Sequence, residues 1–401
     1  MRKKVLVLGS NFGGLTAALA VKRELHGDVD VRVISPGDRF VFNPSLIWLP
    51  FGKRDAAGIT FPVGPTFASH GVDFVHDAAV EIDADHKLVR TASGGSYDYD
   101  YLVVATGYRN RMDVVPGLVD NAVTITSLEE AQRAGEAWQR YLSDPGDIVV
   151  AASQGAGCFG AAYEFLFNTS YRLKKAGLRK QVKLTYVSSE PFLGHFGIGG
   201  LPHGEQLLGM FLRKQGIDAH VGVALDHVAT DAVVLADGTE IPSSYSMVVP
   251  PFIGQEVAAN ATALDPDDKG YLPVRPTYQS EKFDDVYVVG IAAQVVAPWQ
   301  TAVPMGIPKT GLPTEVQAHT AASNIAAQIR GEAPTHSKPF GDIPAVCVMD
   351  AGNNGVIILA DKMLPPREHG ILVPGPQAHA MKLAFEKYFL WKARNGYVHL
   401  P

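Results

Sequence analysis

The sequence predicts an α/β protein with two Rossmann-like domains and a small C-terminal segment. A short apolar strand leads into a glycine-rich loop at residues 9–14, and the same order returns at residues 155–160. A segment with helical spacing of apolar residues follows each loop, which is typical of the βα start of a dinucleotide-binding unit. With 401 residues, the chain is also long enough to form two or three domains.

The first unit runs from a strand at 4–8 to a second strand at 29–34. Gly9 would form the tight turn and Gly14 would allow close packing of helix and strand, so that a pyrophosphate lies at the helix N-terminus. Asn11 stands where a second glycine is usual, and Ser35 stands where an acidic residue usually binds the ribose. The candidate cofactor-binding residues of this unit are Gly9, Asn11, Phe12, Gly13, Gly14 and Ser35.

Two later strands complete this unit. One apolar run ends in Ala105, Thr106 and Gly107, and another, at 286–290, ends at Gly290. Both resemble the returning strands of flavoproteins with two dinucleotide-binding domains, where such strands run beneath FAD. The resemblance implies an FAD-binding domain made of residues 1–110 and 265–334. Residues 111–264 are then a second Rossmann-like domain, and 335–401 are a C-terminal segment with an aromatic helix.

Composition and charge exclude several classes of function. A formal net charge of −6 gives no reason to expect nucleic acid as a partner. Residues 1–4 lead directly into a strand, so no signal peptide is expected, and no apolar run reaches the roughly 18 residues of a membrane span. Cys158 and Cys347 are the only cysteines, too few for a disulfide framework or a zinc site, and no metal is expected.

The second glycine-rich loop contains a cysteine. Gly155, Gly157 and Gly160 match the dinucleotide fingerprint, but Cys158 lies among them. The N-terminus of the following helix would favour the thiolate of this cysteine. From the residues alone, the loop either binds a nicotinamide cofactor or presents a reactive sulfur.

Several long segments together resemble the sulfide:quinone oxidoreductases, and the resemblance runs nearly from end to end. These segments are residues 158–165, residues 190–200, residues 306–311, the surroundings of Cys347, and residues 385–396. Members of this family carry FAD and oxidise sulfide at a cysteine pair on one face of the flavin. They pass the electrons to a membrane quinone on the other face.

The resemblance implies a reaction at Cys158 and Cys347. Hydrosulfide would attack the Cys158–Cys347 disulfide, leaving a persulfide and a thiolate on Cys347 that delivers electrons to FAD. Growing sulfur chains would leave as polysulfide. Glu164 is the expected proton acceptor, and His195 is a further catalytic candidate.

The resemblance also assigns residues to the flavin and to the quinone. Lys309 and Thr310 match the family's loop at the flavin, where a cation would stabilise charge on the reduced ring. Phe385 and Val346 match the walls around the quinone ring. The partners are then hydrogen sulfide and a quinone, and the chain is expected to be a peripheral protein of the cytoplasmic membrane. A soluble cytoplasmic form and a homo-oligomer stay open.

The sequence departs from the family at three places. Thr126 and Glu130 stand where many members have a third cysteine and a histidine, so no chemistry is expected at a third cysteine. Ile291 stands where an acidic residue usually follows the glycine of the closing strand. The sequence stops at Pro401 without amphipathic segments that related members often carry, so a membrane contact would depend on the aromatic helix and nearby loops.

Three other functions stay open from the sequence. An NADH-dependent flavin disulfide reductase would use the loop at 155–160 for a nicotinamide cofactor and Glu190 for its ribose. A soluble flavin sulfide dehydrogenase would share the cysteine pair and donate electrons to a cytochrome. A non-catalytic flavin-binding protein is compatible with Asn11 and Ser35.

Overall fold

The computed structural model describes residues 2–400. Its strands are β1 (Lys3–Leu8), β2 (Val29–Ser35), β3 (Arg39–Val41), β4 (Thr60–Pro62), β5 (Asp73–His76), β6 (Ala79–Asp83), β7 (Leu88–Thr91), β8 (Ser96–Asp98), β9 (Tyr101–Val104), β10 (Tyr108–Asn110), β11 (Ile148–Ala152), β12 (Leu184–Ser188), β13 (Ile217–Val221), β14 (Leu225–Val228), β15 (Ala232–Leu235), β16 (Glu240–Pro242), β17 (Tyr245–Val249), β18 (Phe252–Gly254), β19 (Val286–Val288), β20 (Ala345–Asp350), β21 (Gly355–Ala360) and β22 (Gly370–Pro374). Its α-helices are α1 (Phe12–Leu25), α2 (Val63–Ser69), α3 (Leu118–Asn121), α4 (Leu128–Tyr141), α5 (Phe159–Lys175), α6 (Gly204–Gln215), α7 (Glu256–Ala259), α8 (Gly311–Ile329) and α9 (Pro376–Arg394).

The first sheet is parallel and has the strand order β19–β9–β1–β2–β5. Its central strand β1 is buried from Val5 to Leu8, as expected of a parallel strand that is covered on both faces. α1 leaves the carboxyl end of β1 and packs against α8, which comes from much later in the chain. Distant parts of the chain therefore build one sheet, and the predicted α/β fold class is confirmed.

The second sheet is also parallel, with the order β13–β12–β11–β17. All five residues of β11 are buried, and α5 begins directly after the loop that follows this strand. This repeats the arrangement of β1 and α1, so that residues 153–158 lie at the carboxyl edge of the sheet. β10 and β18 pair with each other in an antiparallel ribbon.

The C-terminal segment forms a three-stranded antiparallel sheet, β20–β21–β22, against which α9 packs. Side chains of the N-terminal unit hold α9 in place. Glu386 of α9 accepts a hydrogen bond from Arg54 at 2.8 Å and another from Ser45. The Phe389 ring lies 4.9 Å from the ring of Phe12, centre to centre. These contacts fix α9 and β20 against the first glycine-rich loop.

One face of this third sheet is uncovered. Val346, Leu359 and Ile371 lie opposite one another in register, and their exposed fractions are 41%, 38% and 55%. The next row of the same face is also aliphatic and half-buried, and it consists of Val348, Ile357 and Val373. Among the helices of residues 2–400, none has the length and apolarity needed to cross a membrane.

The helix predicted to follow Thr314 begins earlier. α8 starts at Gly311, with Thr310 as its N-cap residue. Pro313 therefore lies inside the first turn, where its missing N–H would have had no helical acceptor. The sequence pattern underestimates this helix because proline normally marks an end rather than a beginning.

Candidate active site

Close backbone contacts require the glycines of the first loop. Gly9 has a φ of 105°, and a Cβ at this position would lie 2.3 Å from the carbonyl oxygen of Ala105. A Cβ on Gly14 would lie 1.8 Å from the carbonyl oxygen of Gly9. Only glycine lets β1, α1 and the chain after β9 approach one another this closely.

The N-terminus of α1 leaves polar groups open for a ligand. The N–H groups of Asn11, Phe12 and Gly13 have no acceptor within residues 2–400. The side-chain atoms Asn11 Oδ1 and Thr106 Oγ1 are buried and have no hydrogen-bond partner in the same range. Buried polar groups are normally paired, and helix N-termini favour phosphate. The residues present therefore fit the pyrophosphate of FAD.

Two other predicted cofactor residues are already bonded to protein groups. The Ser35 hydroxyl accepts a hydrogen bond from Ser10 Oγ at 3.0 Å. The N–H of Gly290 donates to Oε1 of Gln317 at 2.6 Å. Gln317 was not predicted, although its Nε2 is buried without a partner in the described part of the chain. The signal for it was an amide side chain among apolar residues of helix α8.

Protein carbonyl groups bind the amine of Lys309. Lys309 Nζ donates to the carbonyl oxygens of Ile291 and Ala293 at 2.6 and 2.7 Å and lies 3.5 Å from the centre of the Tyr271 ring. Burial lowers the pKa of Lys309 to about 7. We expected Lys309 to be a permanent cation at the flavin. Its amine is instead only partly protonated near pH 7, and its hydrogen bonds hold the segment after β19 in place. A direct contact of Lys309 or Thr310 with FAD stays a prediction.

The second glycine-rich loop is closed by the protein itself. The N–H of Gly155 donates to the carbonyl of Pro304 at 2.7 Å, and the N–H of Gly157 donates to that of Pro250 at 3.1 Å. A Cβ on Gly157 would lie 2.1 Å from the ring of Phe252. Protein groups therefore occupy two N–H donors of this loop and the space beside Gly157.

Glu190, which would bind the ribose of a nicotinamide cofactor, points into the protein. Its carboxyl accepts hydrogen bonds from Tyr186 Oη at 3.0 Å, Ser188 Oγ at 2.9 Å and the N–H of Phe196 at 2.6 Å. Burial raises the pKa of Glu190 to about 7. A carboxyl held in this way cannot reach a ribose hydroxyl.

Cys158 is the N-cap residue of α5. Burial raises the pKa of its thiol, and the N–H groups of Ala161 and Gly160 oppose this effect only in part. The expectation of a thiolate stabilised by the helix N-terminus is therefore corrected. Desolvation outweighs the helix dipole at this position.

Cys347 lies in the middle of β20, opposite Ile358. Its side chain has exposed surface, yet burial by the surrounding protein raises the pKa of its thiol to about 12. The charges of Glu164 and Cys158 add to the effect. Two cysteines that are remote in sequence thus share one electrostatic environment.

Glu164 and Lys382 form a buried ion pair between α5 and α9. Their side chains are 11% and 3% exposed, and Lys382 Nζ donates to Glu164 Oε1. The same oxygen accepts the N–H of Asp350 at 2.9 Å. Burial raises the pKa of Glu164, while the charge of Lys382 opposes the rise. The predicted proton acceptor is thus a buried carboxyl whose partners come from β20 and α9.

The sequence did not reveal the residues that support this pair. The carboxylate of Asp350 is fully buried, accepts Trp48 Nε1 at 2.7 Å and contacts His379. Burial alone would raise the pKa of Asp350, but these hydrogen bonds and the charge of Lys53 hold it below its ordinary value. Asn168 ties α5 to β20 by donating to the Asp350 carbonyl at 2.9 Å. The one signal for these residues in the sequence was a polar side chain inside an otherwise apolar segment.

His195 is buried between aromatic rings. It is 5% exposed, and the rings of Phe192 and Trp299 lie 5.2 and 5.0 Å from it. Burial lowers the pKa of His195 to about 4, so the imidazole is neutral at pH 7. Its Nδ1 has no partner among the described residues. A catalytic contact of this neutral imidazole stays a prediction.

The two residues predicted at the quinone are exposed on neighbouring elements. Val346 of β20 and Phe385 of α9 are each 41% exposed. The ring of Phe385 lies 5.8 Å from that of Phe42, which fixes it at the edge of an aromatic cluster. Phe385 follows Lys382 by one helical turn, so that α9 carries both residues on one side. Their contact with a quinone stays a prediction.

Comparisons with known proteins agree with this geometry. The family model described as pyridine nucleotide-disulphide oxidoreductase matches residues 3–306. The sulfide-quinone reductase of Aquifex aeolicus is 35% identical over 402 residues, covering 99% of this chain and 92% of that protein. The X-ray structure of the sulfide:quinone oxidoreductase from Aquifex aeolicus has a TM-score of 0.93 at 34% identity, covering 98% of this chain and 92% of that chain.

A more distant structure shares the fold alone. NDH2 from Plasmodium falciparum in complex with NADH has a TM-score of 0.72 at 12% identity, covering 99% of this chain and 97% of that one. The same architecture therefore occurs in a protein whose structure holds a nicotinamide cofactor. The fold therefore does not separate proteins that bind a nicotinamide cofactor from those that do not. The contacts of the second glycine-rich loop have to decide this.

Proposed function

We propose that this chain, which belongs to the pyridine nucleotide-disulphide oxidoreductase family and within it to the sulfide:quinone oxidoreductases, oxidises sulfide with FAD and passes the electrons to a quinone. Polysulfide or sulfur is the product, because each round adds a sulfur atom to a chain held by the two cysteines.

The observation that carries this proposal is the common environment of Cys158 and Cys347. Cys158 caps α5, and Glu164 of this helix accepts the N–H of Asp350 on β20, the strand that carries Cys347, while it pairs with Lys382 of α9. The charges of Glu164 and Lys382 therefore act on the pKa values of both thiols, although the two cysteines are far apart in the sequence. Oxidation of sulfide by two electrons needs two sulfurs that form and break a bond, with a proton acceptor beside them. This set of side chains meets that requirement.

The sulfur chemistry balances with the two cysteines, with Glu164 as the proton acceptor and with FAD, when bound, as the acceptor of the two electrons. Hydrosulfide attacks the Cys158 sulfur of a Cys158–Cys347 disulfide, so that a new S–S bond forms and the old one breaks. The products are a persulfide on Cys158 and a thiolate on Cys347. Joining them into a trisulfide bridge releases one proton and two electrons. Glu164 takes the proton, and the charge of Lys382 opposes the rise that burial causes in the pKa of this acceptor.

The raised pKa of Cys347 has a consequence for the electron transfer. Because burial raises the pKa of Cys347, its thiolate is more nucleophilic toward an electron acceptor, but it is also a slower leaving group when the disulfide opens. When bound, FAD supplies the two-electron acceptor between sulfide and quinone. The N–H groups of Asn11, Phe12 and Gly13, with the orphaned oxygens of Asn11 and Thr106, would hold its pyrophosphate and adjoining polar groups.

We assign the quinone to the exposed side of β20 and α9. Val346 and Phe385 offer an aliphatic and an aromatic wall, which suit a flat ring. The uncovered sheet face continues from Val346 to Leu359 and Ile371, and an apolar face of this kind favours contact with acyl chains. We therefore propose a peripheral position on the cytoplasmic membrane, with this face toward the lipid.

The NADH-dependent alternative has less support. A dinucleotide in the second loop would have to displace the Pro304 and Pro250 carbonyls from Gly155 and Gly157. It would also leave its ribose without the Glu190 carboxyl. The protein groups that fill this loop argue against a nicotinamide site.

Stopped-flow spectra of the flavin test the proposal. Sulfide should bleach the flavin band of the purified protein, a short-chain quinone should restore it, and NADH should do neither. Cys158→Ala and Cys347→Ala should each lower the rate of bleaching by sulfide on the order of 10³-fold without changing the FAD content.

Two results would overturn the proposal. One is reduction of the flavin by NADH at a catalytic rate, and the other is full activity in both cysteine variants. Reoxidation by cytochrome c but not by quinone would instead identify a flavin sulfide dehydrogenase.

A further inference from the structure

A cavity outside the cysteine site lies between the C-terminal ends of α5 and α6 and the turn that joins β20 to β21. Its volume is about 490 Å³, within the range of roughly 300–1,000 Å³ that is usual for small-molecule sites. Phe167, Tyr171 and Phe211 provide aromatic walls, and Met349 and Val356 add apolar surface. The cavity can therefore accommodate the apolar part of a small organic molecule.

Three ammonium groups line this cavity, and no carboxylate does. They belong to Lys174 and Lys175 at the end of α5 and to Lys214 at the end of α6. None of the three takes part in a salt bridge within residues 2–400. Burial, together with the charges of Arg179 and Lys214, lowers the pKa of Lys174. The charges of Lys174 and Lys214 thus oppose each other across the two helix ends, and an anion in the cavity would relieve this repulsion.

Helix dipoles explain only part of this arrangement. Basic residues in the last turn of a helix complement the negative C-terminal end, which accounts for lysines on α5 and on α6 separately. The helix dipole does not explain why the ends of α5 and α6 converge on one cavity with aromatic walls. Nearby amide groups of Gln215, Asn353 and Asn354 add hydrogen-bond donors to the same cavity.

We propose that this cavity binds a phosphate ester joined to an apolar or aromatic body. The phosphate lies among Lys174, Lys175 and Lys214, because an ammonium group is a good point-charge partner for phosphate. The body packs against Phe167 and Tyr171. An anionic phospholipid and a soluble nucleotide both have this chemistry.

The site is joined to the strand that carries Cys347. Met349 lines the cavity two residues after Cys347 in β20, and Gly355 lines it at the start of β21. The occupant would therefore contact the turn of residues 351–354 from the side opposite the uncovered sheet face. Binding itself does not require sulfide oxidation, so this inference and the proposed function fail separately.

The test compares two triple variants of the FAD-loaded full chain. Lys174→Gln/Lys175→Gln/Lys214→Gln removes the three cavity charges. Lys4→Gln/Lys269→Gln/Lys282→Gln removes the same charge from exposed positions outside the cavity. Co-sedimentation with phosphatidylglycerol and phosphatidylcholine vesicles measures lipid binding, and calorimetry with AMP measures nucleotide binding.

The cavity variant should lose roughly tenfold or more in affinity for one of the two probes, while the control loses less than about twofold. A loss confined to phosphatidylglycerol identifies a lipid headgroup, and a loss confined to AMP identifies a soluble ligand. Both variants should keep sulfide-dependent bleaching. Binding that is unchanged in the cavity variant, or weakened equally in both variants, would overturn the proposal, as would a wild-type protein that binds neither probe.

Discussion

Both glycine-rich loops join a buried strand to a helix, but they differ in which of their N–H groups the protein already binds. At the first loop, the N–H groups of Phe12 and Gly13 remain open at the start of α1. At the second, carbonyl groups from remote segments take the N–H groups of Gly155 and Gly157. The spacing of the glycines determines the shape of the turn. Whether the turn binds a ligand depends on whether another part of the chain already occupies it.

The residues around the two loops differ in the same sense. Ser35 ends the second strand of the first unit, and its hydroxyl accepts hydrogen bonds from Ser10 and Gly37, while the Glu190 carboxyl in the second unit accepts three. α5 carries Cys158 as its N-cap and Glu164 within its second turn. The first unit thus keeps open N–H groups at the start of α1, whereas the second carries Cys158 and Glu164 on α5.

The largest expected effect comes from adding one methyl group to each loop. Gly14→Ala should abolish FAD binding, because its Cβ would lie 1.8 Å from the Gly9 carbonyl oxygen. Gly160→Ala should retain FAD, since no atom lies within 4 Å of a Cβ at that position. The ratio of absorbance at the flavin and protein bands of the purified variants measures the difference. Equal FAD contents would show that the two loops are not distinct in this way.

The second largest effect concerns the buried ion pair beside the second loop. Glu164→Gln should lower the rate of flavin bleaching by sulfide roughly 100-fold, because the proton acceptor is lost. It should also cost about 3–5 kcal/mol of unfolding free energy, because Lys382 stays buried without its partner. Stopped-flow spectra and urea denaturation measure the two quantities.

A double variant separates these roles. Glu164→Gln/Lys382→Met should recover most of the lost stability, since no buried charge is left unpaired. It should not recover the rate. A double variant that bleaches as fast as the wild type would show that Glu164 has only a structural role.

The third effect is the pH dependence that Glu190 of the second unit contributes to stability. Burial raises the pKa of Glu190 from 4.5 to about 7, so the folded state holds a proton that the unfolded state has lost between these values. Glu190 therefore lowers stability as pH rises from 4.5 to 7, by about 3 kcal/mol in total. The contribution is constant above the higher value.

Urea denaturation of Glu190→Gln against the wild type isolates this contribution. The difference in unfolding free energy between the two proteins should change with pH across this window, in favour of the variant at the higher pH. His195, whose pKa is lowered to about 4, affects both proteins alike and cancels in the difference. A difference independent of pH would mean that Glu190 ionises normally.

The smallest effect is expected at Asn11 in the first loop. Asn11→Gly removes the orphaned Oδ1 but leaves the backbone N–H groups that face the ligand. Loss of one hydrogen bond is worth about 1 kcal/mol, so FAD affinity should fall less than roughly tenfold. Titration of the apoprotein with FAD, followed by flavin fluorescence, measures the change. A loss as large as that of Gly14→Ala would mean that the side chain, rather than the backbone, holds the cofactor.

Much of the fold could be predicted because its signals are local. The apolar runs at β1 and β11, and the glycines after them, specify two strand–loop–helix units without any distant contact. The start of α8 was missed because Pro313 lies in its first turn. Cys158 and Glu164 could be placed on one helix from their spacing, whereas only a resemblance paired Cys158 with Cys347.

The supporting residues of the site have no local pattern. Asp350, Trp48 and His379 come from three segments and meet through hydrogen bonds that spacing does not encode. Gln317 likewise reaches Gly290 from α8. Each is an ordinary polar residue in its own segment, and only its partner gives it a role.

The sequence by itself determined the two βα units, the glycines that their turns need, and the presence of two cysteines without a disulfide framework. Only the tertiary structure decided which loop is open, where the Glu164 carboxyl finds Lys382, and that burial raises the pKa of both thiols. The physical reason is the distance along the chain over which each effect acts. Backbone preferences and apolar periodicity act over a few residues, whereas burial and charge pairing depend on segments that are far apart in the chain.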